Sequence, residues 1–288
     1  MKIRFVQEFI DILRGKVLYL PGMIRTYCAY KHVKDYQTLA LGSSHMGSYI
    51  PDDSGINMSM ASQDLYYSYK LYNLLYSENP KIKNIILSFS VFTPGHCLIK
   101  TNEKKLAVLY KVMYGIDYQF PEIAKKKHLP WFEKHFKSKV DEFYEKTEKN
   151  PDYRGGMPKD YFDTTNINPE KAKKIALKHY KGNQRESSQM EYFEKFMGAI
   201  QENNQNLLIV ISPMPAEYRN TLPEKEILFE KLYSACSKHP KVKILNLYDD
   251  NGFEHEEFYD EHHLNIKGAK KISRIINDIL EKELILNV

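Results

Sequence analysis

The sequence predicts an α/β fold with a five-stranded parallel sheet and helices on both faces. Three observations predict it. Five short apolar segments are spread along 288 residues. Segments of helical period lie between them, and that alternation builds a parallel sheet. Two of the strands, around Ile85-Ile86-Leu87 and Leu207-Leu208-Ile209-Val210-Ile211, are nearly continuous apolar runs, as buried parallel strands require.

At the N-terminus, Phe5, Phe9, Ile12 and Leu13 recur at helical spacing, with charges at Lys2, Arg4 and Glu8. This predicts a short amphipathic helix packed on the domain, not a secretion signal. The first strand, Gln37–Leu41, ends in the turn Gly42-Ser43-Ser44, with a helix expected to follow. The second strand is Gly55–Met60. The helix Gln63–Tyr76 comes next and carries Leu65, Tyr69, Tyr72 and Tyr76 on one stripe. Ile82–Ser90 is the third strand.

From about Thr93 to about Asn206 the chain is rich in Lys, Tyr, Phe and Glu and has no clear strand. Helices are predicted at Glu103–Tyr114, Pro130–Lys146, Pro169–Tyr180 and Ser187–Asn203, with a loop over Asp152–Asp163. Such an excursion between core strands reads as an inserted helical cap over residues 93–206, its last helix returning as a crossover. A cap near the carboxyl ends of the strands would select substrate; a purely structural excursion is the alternative. Leu207–Ser212 and Val242–Leu247 complete the sheet, with helices at Leu222–Ser237 and Ile266–Leu284. No internal repeat interrupts this single domain of residues 1–288.

The net charge of +5 is small for the length, and Lys alternates with Glu and Asp, so no nucleic-acid partner is expected. Tyrosine is abundant, with 22 copies, and fits half-buried helix faces more readily than a carbohydrate cleft. Cys28, Cys97 and Cys236 are odd in number and far apart, which suits reduced thiols in a cytoplasmic protein. No apolar run approaches the roughly 20 residues of a membrane helix.

Two segments carry the chemistry. Glycine at position 42 permits a sharp turn that presents Ser44 at a strand's carboxyl end, beside backbone N–H groups that can hold an oxyanion. Asp260 and His263 stand three residues apart, just before Asn265, a good N-cap for the final helix. Nucleophile, base and orienting carboxylate are the parts of acyl transfer, here in the order Ser…Asp…His. Met46 and Ser48 exclude a G-x-S-x-G elbow and a P-loop, respectively. The cluster Glu254-His255-Glu256-Glu257 lacks the H-E-x-x-H spacing, because Tyr259 stands where the second His belongs. Neither a metal nor a cofactor is expected. His45, beside the nucleophile, is a candidate substrate contact, as are Arg154 and Arg219 for an anionic group. Ser212-Pro213-Met214-Pro215 is a candidate wall of the site.

Three blocks, Gly42-Ser43-Ser44, Asn57-Met58-Ser59-Met60-Ala61-Ser62-Gln63 and Asp260-Glu261-His262-His263-Leu264-Asn265, resemble those of the SGNH/GDSL hydrolase superfamily. They are most similar to its members from bacterial surface-polysaccharide loci, and more distantly to the D-alanine transfer protein of teichoic acid synthesis. The resemblance covers both ends of the chain and says little about 93–206. It implies a flavodoxin-like, three-layer α/β/α fold, with Ser44 as nucleophile, His263 as general base and Asp260 as its partner.

The chain departs from the superfamily pattern twice. Ser62 stands where an oxyanion-hole glycine is usual, and the third strand end, Leu87-Ser88-Phe89-Ser90-Val91-Phe92, lacks the usual asparagine donor. Ser62, Ser90, Thr93 or a residue of the insertion are candidate replacements. The expected function is removal of an O-acyl group, such as an acetyl, from a carbohydrate or its precursor. An O-acyltransferase with the same triad and a non-catalytic glycan-binding or assembly protein are the alternatives.

Overall fold

The computed structural model describes residues 20–127, 129–146, 153–156, 164–239 and 242–286. Five strands, β1 (Thr38–Leu41), β2 (Gly55–Asn57), β3 (Asn84–Ser88), β4 (Asn206–Ile211) and β5 (Val242–Asn246), form one parallel sheet in the order β2-β1-β3-β4-β5. All five expected strands are present. Strands β2 and β3 end earlier than expected because Met58–Met60 and Phe89–Ser90 leave the sheet as loops. The chain runs from β1 to β2 on one side, then returns to β3 on the other. The strand order therefore reverses at β1, which opens a crevice at its carboxyl end, as in other doubly wound sheets.

The helices are α1 (Leu20–His32), α2 (Leu65–Glu78), α3 (Leu106–Tyr114), α4 (Pro121–Lys126), α5 (Leu129–Lys146), α6 (Pro169–Asn183), α7 (Gln189–Glu202), α8 (Ala216–Arg219), α9 (Lys225–Leu228), α10 (Glu230–Cys236) and α11 (Ile266–Leu286). Strand residues alternate between two cores, as the two-residue period of a strand dictates. Leu39, Leu41, Ile85, Leu87, Ile209 and Ile211 face the larger one, together with α1, α2, α3, α5, α7 and α10. Ala40, Ile86, Leu208 and Val210 face the smaller one, covered by Ile272, Ile276 and Leu280 of α11. Those three residues recur at four-residue spacing, the stripe one buried helix face needs. The layers are thus helices, sheet, helix.

The expected insertion divides into three parts. Helices α3 and α5 pack into the larger core with α1 and α2, and are structural. Helix α7 lies along α2 and returns the chain to β4. Helix α6, with the segment from Gly95 to Glu103, stands toward the carboxyl ends of the strands, where a cap was expected. Arg154 O accepts from Asn57 N at 2.7 Å and Gly156 N donates to Asn57 O at 3.1 Å, so residues 153–156 cover the β2 edge. That protects a strand edge from pairing with another chain.

Other differences are local. Leu222–Ser237 is not one helix: Phe229, fully buried against Tyr248, breaks it into α9 and α10. Helices α1, α4 and α8 were not foreseen. The tyrosines pack on one another, with Tyr67 stacked on Tyr110 at 4.1 Å, and the three cysteines are buried and form no disulfide. No helix among the described residues is long and apolar enough to cross a membrane. The N-terminal helix and most of the Asp152–Asp163 loop lie outside the described residues.

Candidate active site

Ser44 sits in the turn that leaves β1. Gly42 adopts φ +129°, and a Cβ there would stand 2.2 Å from Ser88 Oγ, so only glycine fits. Its N–H donates to Gln63 Oε1 at 2.5 Å, and Ser43 N–H donates to Ser88 Oγ at 3.2 Å. Gln63 also donates to Met58 O at 3.3 Å. The second block of the sequence thereby clamps the first. The helix expected after the turn is only a 3-10 turn, Met46–Ser48.

Asp260 and His263 lie in a tight turn. Tyr259 N–H donates to His263 O at 2.8 Å, and Phe258 bridges Leu264 antiparallel. Within the turn, Asp260 Oδ1 accepts from the N–H groups of His262 at 3.0 Å and His263 at 2.9 Å. That local geometry explains the three-residue spacing. Asn265 caps α11, accepting from Lys267 N at 2.9 Å and Gly268 N at 3.2 Å. Its amide also donates to Glu256 O at 2.6 Å, which ties the turn to the helix start.

The two segments meet. Ser44 Oγ is 2.9 Å from His263 Nε2, and both carboxylate oxygens of Asp260 lie 3.0 Å from His263 Nδ1. An ionised Asp260 favours the His263 tautomer with its proton on Nδ1, which turns the Nε2 lone pair to the Ser44 hydroxyl. Burial raises the Asp260 pKa, but the hydrogen bond and charge of His263 and the two N–H groups outweigh it and hold the carboxyl down at about 2. It stays ionised beside the base.

Ser44 opens on a cleft of about 520 Å³ whose walls include Ser62, Phe92, Gly95, His96, Lys178, His179, Arg185 and His262. Ser62 lines it, as expected, with φ +55°. That is the left-handed region where glycine is usual and where non-glycine strain marks functional sites. The Ser62 hydroxyl donates to Glu103, and its carbonyl accepts from His96 Nε2 at 3.0 Å. The backbone N–H groups of Ser44 and Ser62 have no acceptor among the described residues.

Ser90 and His45 were expected to touch substrate, and the structure places both beneath the cleft instead. His45 is buried, with Nδ1 2.6 Å from Ser90 Oγ and Nε2 2.9 Å from His262 Nδ1. Thr93 accepts from Ser90 N at 2.8 Å, and Ser212 donates to His45 O at 3.4 Å; neither lines the cleft. Nor do Arg154 and Arg219. Ring nitrogens of His45, His262 and His263 lie within 4.8 Å of one another, close enough to share a metal ion. A metal there would displace both the His45–His262 and the Ser44–His263 hydrogen bonds, so this donor set is already spent within the protein.

The expected cap is realised here by α6, whose cleft-facing residues belong to no motif. Lys171, Ile175, Lys178, His179 and Gly182 all line the cleft. Their spacing is that of one helix face, and it was the available signal. Lys171 Nζ lies 2.7 Å from the fully buried Glu261, which ties α6 to the Asp260–His263 turn. Burial, and then Lys178, push His179 down to about 3. Burial and neighbouring His263 likewise push His45 and His262 well below the imidazole range. These imidazoles are neutral at physiological pH. Compared with known proteins, the chain matches no family model and no curated sequence.

Proposed function

We propose that this chain is a serine esterase or deacylase of the SGNH/GDSL type, acting on an O-acyl group of a carbohydrate or its precursor. The observation that carries the reading is the hydrogen-bonded chain Ser44–His263–Asp260, assembled from segments more than two hundred residues apart. The carbohydrate part rests on the resemblance of the three sequence blocks.

His263 takes the Ser44 proton as Oγ attacks the ester carbonyl. The oxyanion is received by the unpaired N–H groups of Ser44 and Ser62, two residues of the same cleft. Protonated His263 then gives its proton to the leaving alcohol, and the acyl-enzyme forms. Water, deprotonated by the same imidazole, releases the acid. A sugar hydroxyl in place of water would make the same enzyme a transferase, and product analysis with a polyol acceptor separates the two.

The test is a fluorophosphonate probe with intact-mass readout on wild type and Ser44→Ala. One adduct on the wild type and none on the variant is expected. A folded wild type that stays unlabelled would leave the cleft as a binding site.

A further inference from the structure

Beside the triad runs a second chain of side chains, Ser90–His45–His262. A hydrogen bond between two neutral imidazoles needs an N–H on one ring and a lone pair on the other. The chain therefore has two proton arrangements. In one, Ser90 O–H donates to His45 Nδ1, His45 Nε2–H donates to His262 Nδ1, and His262 carries its proton on Nε2. In the other every donor is reversed, and His262 Nε2 is bare.

Ser90 decides between them. It is 2% exposed, and His45 Nδ1 is the sole partner of its hydroxyl among the described residues. In the reversed arrangement the Ser90 oxygen accepts, and its own proton is buried without an acceptor. Buried polar groups pay heavily for that. In the first arrangement the same hydroxyl donates, and the whole chain is satisfied.

We infer that His262 presents an Nε2–H to the cleft beside Ser44 and donates it to the oxyanion of the tetrahedral intermediate, filling the place of the asparagine absent after β3. The inference rests on the serine-hydrolase reading. His262 lines the cleft with Ser44, its ring centroid 3.9 Å from that of His263 and 5.2 Å from that of His179. Being neutral, it donates without competing for the Ser44 proton, a role that a lowered imidazole pKa suits. His45 and Ser90 are positioning residues that set the tautomer.

The experiment pairs kinetics with nitrogen NMR of the wild-type histidine rings. His262→Leu should lower kcat by about 100- to 1000-fold with KM little changed. Its pH–rate midpoint should stay that of the wild type, because His263 remains the base. His262→Gln, which keeps an N–H donor, should recover part of the loss. Ser90→Ala should lower kcat, and Ser90→Thr should restore it. In the wild type, His45 and His262 should be Nε2–H tautomers and His263 the Nδ1–H tautomer. An Nδ1–H tautomer at His262, or full kcat in His262→Leu, would overturn the inference. If Ser44 takes the fluorophosphonate while His262 proves Nδ1–H, only this inference fails; if Ser44 takes none, the hydrolase reading fails first.

Discussion

Ser44, His263 and Asp260 form one hydrogen-bonded chain, and in the proposed mechanism each bond has meaning only with the next. Ser44→Ala and His263→Ala should each remove nearly all ester hydrolysis, and the double variant should lose no more, read as kcat/KM. Asp260→Asn should be comparable or milder. The same carboxylate contributes to stability. Its pKa falls from 3.8 to about 2 in the folded chain, so its stabilisation is full above about pH 4 and lost as pH falls toward 2. Up to about 2 kcal/mol depends on it. Urea unfolding at pH 6 and pH 2.5 should show that difference in the wild type, and Asp260→Asn should shrink it. Ser62 gives a sharper contrast. The proposed chemistry uses its N–H, not its side chain, and its φ of +55° is one glycine adopts freely. Ser62→Gly should therefore keep kcat within a few-fold and cost little stability, despite losing the bond to Glu103. A hundredfold loss would give the hydroxyl a direct role.

At the scale of elements, the cleft depends on how closely α6 approaches the loop after β3. A Cβ on Gly95 would stand 1.9 Å from Gly182 O and 3.1 Å from Arg185 O, both backbone atoms. Gly95→Ala must therefore push α6 away and widen the wall that carries Lys178 and His179. We expect a lower melting temperature, by several degrees, together with a raised KM. An unchanged KM would mean that α6 does not shape the substrate site. The strands were legible in the sequence because burial on both faces leaves an unbroken apolar run, as in Leu207–Ile211. The triad was legible because Gly42 and the Asp260 turn impose local spacings. Helix α6 was legible as a helix, but its partner was not, since the Lys171–Glu261 pair joins residues ninety positions apart. The burial of Ser90 and His45 away from the cleft was hidden for the same reason. A buried relay and a cleft contact look identical in sequence; only the packing of three loops tells them apart.

For the molecule as a whole, strand order places the chemistry and charge decides what reaches it. The reversal of order at β1 opens the crevice where Ser44 emerges, so the second and third strands bring Ser62 and Ser90 to the same end of the sheet. Three carboxylates lie in that crevice: Asp260 accepts from His263, Glu261 pairs with Lys171, and Glu103 accepts from the Ser62 hydroxyl and feels the charge of Lys178. Lys178 and Arg185 also line it, and neither makes an ion pair among the described residues. With Lys100, Lys171, Lys178 and Arg185 against three carboxylates, the cleft presents a small excess of positive charge over a modestly basic surface of net +5. An ester that also carries a carboxylate or phosphate should be favoured over its neutral counterpart. Exposed charges are worth roughly 0.2–1 kcal/mol each, so Lys178→Gln and Arg185→Gln should each raise KM for the anionic ester by no more than about fivefold. KM for the neutral ester should not move. Salt provides the independent check. Raising it from about 0.05 to 0.5 M shortens the screening length to a few ångströms, so kcat/KM should fall for the anionic ester alone. Equal salt dependence for both esters would show that these two cations face solvent and do not select substrate.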